Sequence, residues 1–145
     1  MNQVIPTTVF TIIGGVSIFV LGQIFLKAFM EPILKLRPFK GTIVDSLVYY
    51  CNVYSNPGLN KEDDQKASKN LRKLASELMS KTTVIPCYRF WSFLRVVPRF
   101  SDIRGTHRNL IGLSNGVFST GDAGYNTECV EKIKIALRLP KELLR

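Results

Sequence analysis

The sequence predicts an all-α protein: one N-terminal transmembrane helix followed by a small irregular cytoplasmic helical bundle. Three observations point that way. Residues 9–26 form an uncharged run of 18, twelve of them Val, Ile, Leu or Phe. Beyond that run, apolar residues recur every three or four positions, the spacing of a helix face. No segment alternates apolar and polar residues between hairpin turns, as a half-buried sheet would require. The expected organisation is a membrane anchor over residues 1–30 and a cytoplasmic helical domain over residues 31–145, long enough for a modest core.

The apolar run comes first. At about −0.3 to −0.6 kcal/mol each, its large apolar residues favour a bilayer by roughly 5 kcal/mol. Thr11, Ser17, Gln23 and three glycines offset part of that. As a helix the run spans about 27 Å, close to the roughly 30 Å of a hydrocarbon core, and Val4 to Thr8 can extend it. Lys27, at its end, can snorkel to the headgroups. A core helix of a soluble domain is the plainer alternative, but uncharged runs of this length are uncommon there. A cleaved secretory signal would need a basic leader, and residues 1–8 carry no charged side chain. The positive-inside rule places Lys27, Lys35, Arg37 and Lys40 in the cytoplasm, with the short N-terminal tail outside. Thr8, Thr11, Gly15 and Gly22 share one narrow stripe, a candidate face for helix–helix association, although glycine is common in such helices.

Apolar positions then continue at Ile33, Leu36, Ile43, Leu47, Tyr50 and Tyr54, in helical register, with kinks expected near Pro32 and Pro38. Ser55-Asn56-Pro57-Gly58 is a turn signal. Asn60 reads as an N-cap, with Glu62, Asp63 and Asp64 in the first turn. The helix behind it, about residues 61–80, presents Ala67, Leu71, Leu74, Ala75 and Leu78 on one face and Lys66, Lys69, Arg72, Lys73 and Glu77 on a solvated one. Residues 84–97 mix Tyr88, Phe90, Trp91 and Phe93 with Arg89 and Arg95, and Arg99 follows. As a helix this segment is apolar all round, which suits a membrane interface or a core with its aromatic side inward. Ser101 and Asp102 are the expected caps of a helix with Ile103, His107, Leu110, Ile111, Ser114 and Val117 along one side. After a glycine-containing loop, a last helix is expected from Asn126 or Thr127, with Val130, Ile133, Ala136 and Leu137 inward and a stop near Pro140.

The formal net charge is +9, unevenly spread: residues 27–40 carry +3 and residues 84–108 carry +4. Anionic lipid is the first explanation for basic residues near an anchor, each being worth about 1 kcal/mol at the surface. Nucleic acid is the other usual partner of basic patches. It is disfavoured here, because no helix-turn-helix, ribonucleoprotein or zinc-finger pattern accompanies the charge. Cys51, Cys87 and Cys129 are odd in number and lack CxxC spacing, which argues against a disulfide framework. A cytoplasmic domain keeps them reduced, and isolated cysteines usually serve as small buried apolar residues. A Cys3His zinc site with His107 has no support from spacing.

The loop from Gly116 to Gly124 resembles a phosphate cradle only superficially. It lacks Gly-Lys-Ser/Thr and follows a helix, not a strand, so its glycines are expected at helix ends. Asp102 and Asp122 read as loop or cap residues. Glu128 and Glu131 read as acids of a helix's first turn. No nucleophile, metal or cofactor constellation emerges, so no catalytic residue, cofactor or metal ligand is expected.

Ile18-Phe19-Val20-Leu21-Gly22-Gln23, Glu31-Pro32-Ile33 and Leu110-Ile111-Gly112-Leu113-Ser114-Asn115 together resemble a group of small single-span bacterial membrane proteins without an assigned role. The resemblance covers most of the chain and implies a bacterial inner membrane. It supplies no site residues. The expected function is therefore a membrane-anchored, non-enzymatic helical module for protein–protein interaction, self-association or assembly at the cytoplasmic membrane surface. Lys27, Lys35, Arg37, Lys40, Arg89, Trp91, Arg95 and Arg99 would meet anionic headgroups, and Thr11, Gly15 and Gly22 would serve helix association. A membrane-perturbing effector (a toxin or defence component) and a membrane tether for nucleic acid are the alternatives.

Overall fold

The computed structural model describes residues 4–121 and 123–139. Seven α-helices and one π-helical turn order them, and the described residues contain no strand. Helix α1, Val4–Phe25, runs without a break into the π turn Leu26–Met30 and then into α2, Glu31–Tyr49. Pro32 explains the π turn. Its ring collides with the carbonyl four residues back and it has no N–H to offer that carbonyl. Widening the preceding turn removes the conflict, and the Glu31 N–H bonds to Leu26 O instead. The continuous helix Thr8–Tyr49 contains a stretch long and apolar enough to cross a membrane, none of which is buried. From Thr8 to Glu31 no described side chain is fully buried, whereas Ile33, Leu36, Phe39, Ile43 and Leu47 all are. The one helix is therefore unpacked before the π turn and packed against the bundle after it.

Helix α3 (Cys51–Ser55) follows a break at Tyr50. The turn behind it needs Gly58, which sits at φ +80° and donates its N–H to Val117 O at 3.1 Å. Helix α4, Lys61–Thr83, starts as expected: Asn60 Oδ1 accepts the Glu62 N–H at 3.1 Å. Its apolar face is fully buried. Its charged face is not wholly solvated, because Arg72 Nη2 donates to Asn115 Oδ1 at 2.7 Å and Arg72 Nε to Ser114 Oγ at 3.3 Å. Arg72 thus ties α4 to α6 rather than only meeting water.

Residues 84–97 depart from a continuous helix. Only Tyr88–Phe93 is helical (α5), and the backbone turns left-handed at Cys87 (φ 53°) and Arg95 (φ 58°). The reason is local closure. Tyr88 Oη donates to Pro98 O at 2.7 Å, which folds the segment into a compact loop. Ile85, Val97 and Pro98 are buried, while Phe90 and Phe93 are exposed.

Helix α6, Phe100–Gly116, begins earlier than Ser101 or Asp102 would allow as caps. Arg99 occupies the cap position with no side-chain bond, and Ser101 Oγ bonds to Asp102 Oδ1 instead. Helix α7, Ala123–Leu137, also starts earlier, so neither Asn126 nor Thr127 is its cap. Glu128 and Glu131 fall beyond its first turn. Asn126 is fully buried and donates through Nδ2 to Tyr54 O at 3.0 Å and Gly116 O at 3.1 Å. It links α3, α6 and α7. Helix α6 lies between α4 and α7, and α2 packs on α4. Of the cysteines, Cys129 is buried, whereas Cys51 and Cys87 are exposed, against the expectation for isolated cysteines. The outward tail over residues 1–3, the Asp122 cap and the stop near Pro140 lie outside the described residues.

Both α5 and α7 end in the same closing motif. After α5, Val96 N–H bonds to Trp91 O at 3.0 Å and Arg95 N–H to Ser92 O at 3.1 Å. After α7, Leu139 N–H bonds to Lys134 O at 3.0 Å and Arg138 N–H to Ile135 O at 3.1 Å. The residue between is left-handed in each, Arg95 at φ 58° and Arg138 at φ 54°. Glycine is the usual occupant of this position, and a residue with a Cβ costs about 1 kcal/mol or more there. The chain places arginine at both.

Candidate functional site

Arg89 comes from α5, Arg95 from its closing turn, Arg99 from the cap of α6 and Arg138 from the closing turn of α7. Together with Phe93 and Phe100 they line a surface hollow of about 800 Å³. All four arginines are exposed. Among the described residues no carboxylate lines the hollow, and none of the four arginines makes an ion pair. Tyr88, on the same wall, is held rigid by its bond to Pro98 O, and burial, with the nearby Asp102 charge adding to it, pushes its phenol up to about 12. Its ring meets Phe100 edge-on at 5.9 Å. The positive field continues towards α2. Burial pushes the Lys40 ammonium below its usual range, and the nearby Arg138 and Arg37 charges push it further.

A second concavity lies on the other side of α5. Phe25 and Phe29, stacked at 5.2 Å at the end of the apolar helix, form an open groove of about 560 Å³ with Cys87, Phe90 and Trp91. Phe90 and Trp91 meet edge-on at 5.3 Å. The Trp91 indole N–H is buried and has no described hydrogen-bond partner. Helix α5 is thus a short wall with arginines on one side and aromatic rings against the apolar helix on the other. Helix α1 is about 33 Å long, so the groove sits near one end of a segment of membrane-spanning length, with the hollow across α5 from it.

Of the basic residues singled out from the sequence, Arg89, Arg95 and Arg99 converge on the hollow, and Lys40 lies beside Arg138 at its α2 side. Lys35 bonds to Glu31 at 2.7 Å one helical turn away. Lys27 sits in the π turn, and Arg37 is exposed on α2. Trp91 lines the groove, not the hollow. Thr11, Gly15 and Gly22 lie on the exposed α1, where a Cβ added at either glycine would meet nothing within 4 Å. Sequence reasoning missed Arg138. The signal was an arginine, where a glycine is usual, directly after the last apolar position of α7. Among the described residues, no three His, Cys, Asp or Glu side chains gather as a possible metal set. Compared with family models, curated proteins and solved structures, the chain gives no match.

Proposed function

We propose that the chain is a non-enzymatic, single-span membrane module. Its α1 crosses a bacterial inner membrane, and its helical bundle stands on the cytoplasmic face, where it binds a protein partner or a second copy of itself. One observation supports this best: the apolar groove takes in Phe25 and Phe29 at the end of the apolar helix, and the arginine hollow lies across the short helix α5 from it. Aromatic rings and arginines are the side chains that favour the depth where hydrocarbon gives way to headgroups. The basic residues Lys27, Lys35, Arg37 and Lys40 follow the apolar run closely, which favours a cytoplasmic C-terminal domain.

Trp91 is the only tryptophan, so the fluorescence of the full chain reports this site alone. In vesicles whose acyl chains are brominated near the headgroup, its emission is expected to be quenched strongly, and less by bromines near the chain ends. Emission indifferent to either lipid would remove the groove from the membrane and the proposal with it. Sidedness has an independent readout in the exposed Cys51 thiol. A membrane-impermeant maleimide should label it in inverted inner-membrane vesicles and not in intact spheroplasts. The reverse pattern would overturn the cytoplasmic assignment.

A further inference from the structure

We infer that the arginine hollow is a headgroup site for an anionic lipid bearing two phosphates in one headgroup, whose acyl chains lie in the groove across α5. This rests on the membrane reading above and goes beyond it, because a diffuse basic surface does not distinguish one anionic lipid from another. The hollow does. Four arginines, three from the α5–α6 segment and one from the closing turn of α7, line one concavity with no carboxylate among its described lining residues. Like charges gathered this way repel unless an anion joins them. A guanidinium engages phosphate through two parallel N–H donors, and two arginines commonly clamp one phosphate. Four therefore match two phosphates, whereas a lipid with one phosphodiester leaves two cations unmatched.

The backbone points the same way. Arg95 and Arg138 occupy the two left-handed closing positions where glycine would be easier, and both line this one hollow. Stability alone does not explain arginine at either. The ligand is also amphipathic by geometry. Arg89 and Phe90 are consecutive, yet one lines the charged hollow and the other the apolar groove. A soluble diphosphate would use only the first; a lipid uses both.

The test uses the full chain in neutral detergent micelles and follows its thermal midpoint. Cardiolipin, phosphatidylglycerol at equal total phosphate and inorganic pyrophosphate are titrated in turn. Cardiolipin is expected to raise the midpoint at a concentration about tenfold lower than phosphatidylglycerol, with pyrophosphate far weaker. Arg95→Gly and Arg138→Gly should each raise the unliganded midpoint by a few degrees while weakening cardiolipin about tenfold. Arg89→Gln and Arg99→Gln, at unstrained positions, should weaken cardiolipin without that gain. Equal response to the two lipids per phosphate overturns the two-phosphate site and leaves the membrane reading standing. A pyrophosphate response equal to that of cardiolipin overturns the lipid as its source. Unchanged cardiolipin binding in all four variants overturns the hollow as the site. No response to either lipid, together with unquenched Trp91, removes both readings at once.

Discussion

Gly116→Ala is expected to cost the bundle about 4 kcal/mol and to lower its thermal midpoint by about 15 °C or more. A methyl group at this position would stand 1.9 Å from Asn126 Oδ1. Asn126 cannot swing aside cheaply. It is fully buried, and its Nδ2 holds the carbonyls of Tyr54 and Gly116. Moving it takes the amide donor from the buried Tyr54 carbonyl, about 1–3 kcal/mol, on top of an overpacking cost of about 1–3 kcal/mol, while Gly116 O keeps the Ser119 N–H at 3.3 Å. Small domains have only about 5–15 kcal/mol of stability in total, so the variant should be marginal or unfolded at physiological temperature. Circular dichroism melts of the detergent-solubilised chain provide the measurement. The double variant Gly116→Ala/Asn126→Ala separates clash from lost bonds. It removes the collision, so it should be less destabilised than the sum of the two single changes. A midpoint within about 2 °C of the parent for Gly116→Ala would mean that α6 and α7 are not this close.

The second large effect lies in α1 and leaves the bundle alone. Val16→Arg with Phe19→Arg puts two charges near the middle of the apolar run. Each is expected to cost about 2.5–3.5 kcal/mol at the helix centre, and the two lost apolar side chains add about 1 kcal/mol. The total exceeds the roughly 5 kcal/mol by which the native run favours lipid. The variant should move from the membrane pellet to the supernatant in an alkaline carbonate wash, whereas the parent stays. Val16 and Phe19 are 57% and 67% exposed, so no bundle packing is lost and helicity should persist. Retention of the variant in the pellet at parental levels would show that α1 is not what holds the chain to the membrane.

These two sites differ in how readily the sequence reveals them. The apolar face of α4 and the Asn60 cap are local patterns, set by residues three or four apart, and both appear in the structure as the sequence predicts. The environment of Asn126 is not local. A buried amide and a surface cap look alike until Tyr54 and Gly116, distant in sequence, supply their carbonyls. The same holds for residues 84–97. Their aromatic content suggests a helix, yet the Tyr88 bond to Pro98 O closes them into a loop with one short turn of helix.

The hollow shows the contrast most sharply. Arg89, Arg95 and Arg99 lie within eleven residues of one another and stand out as a basic segment. Arg138 is far along the chain and joins them only because α7 ends beside α5. By itself the sequence determined the helical class, the uncharged span and its basic flank, because each depends on side-chain type and short-range spacing. The tertiary structure alone decided which cations share a concavity and which asparagine is a strut. Those properties depend on where helices end and which ends meet, and no local period encodes that.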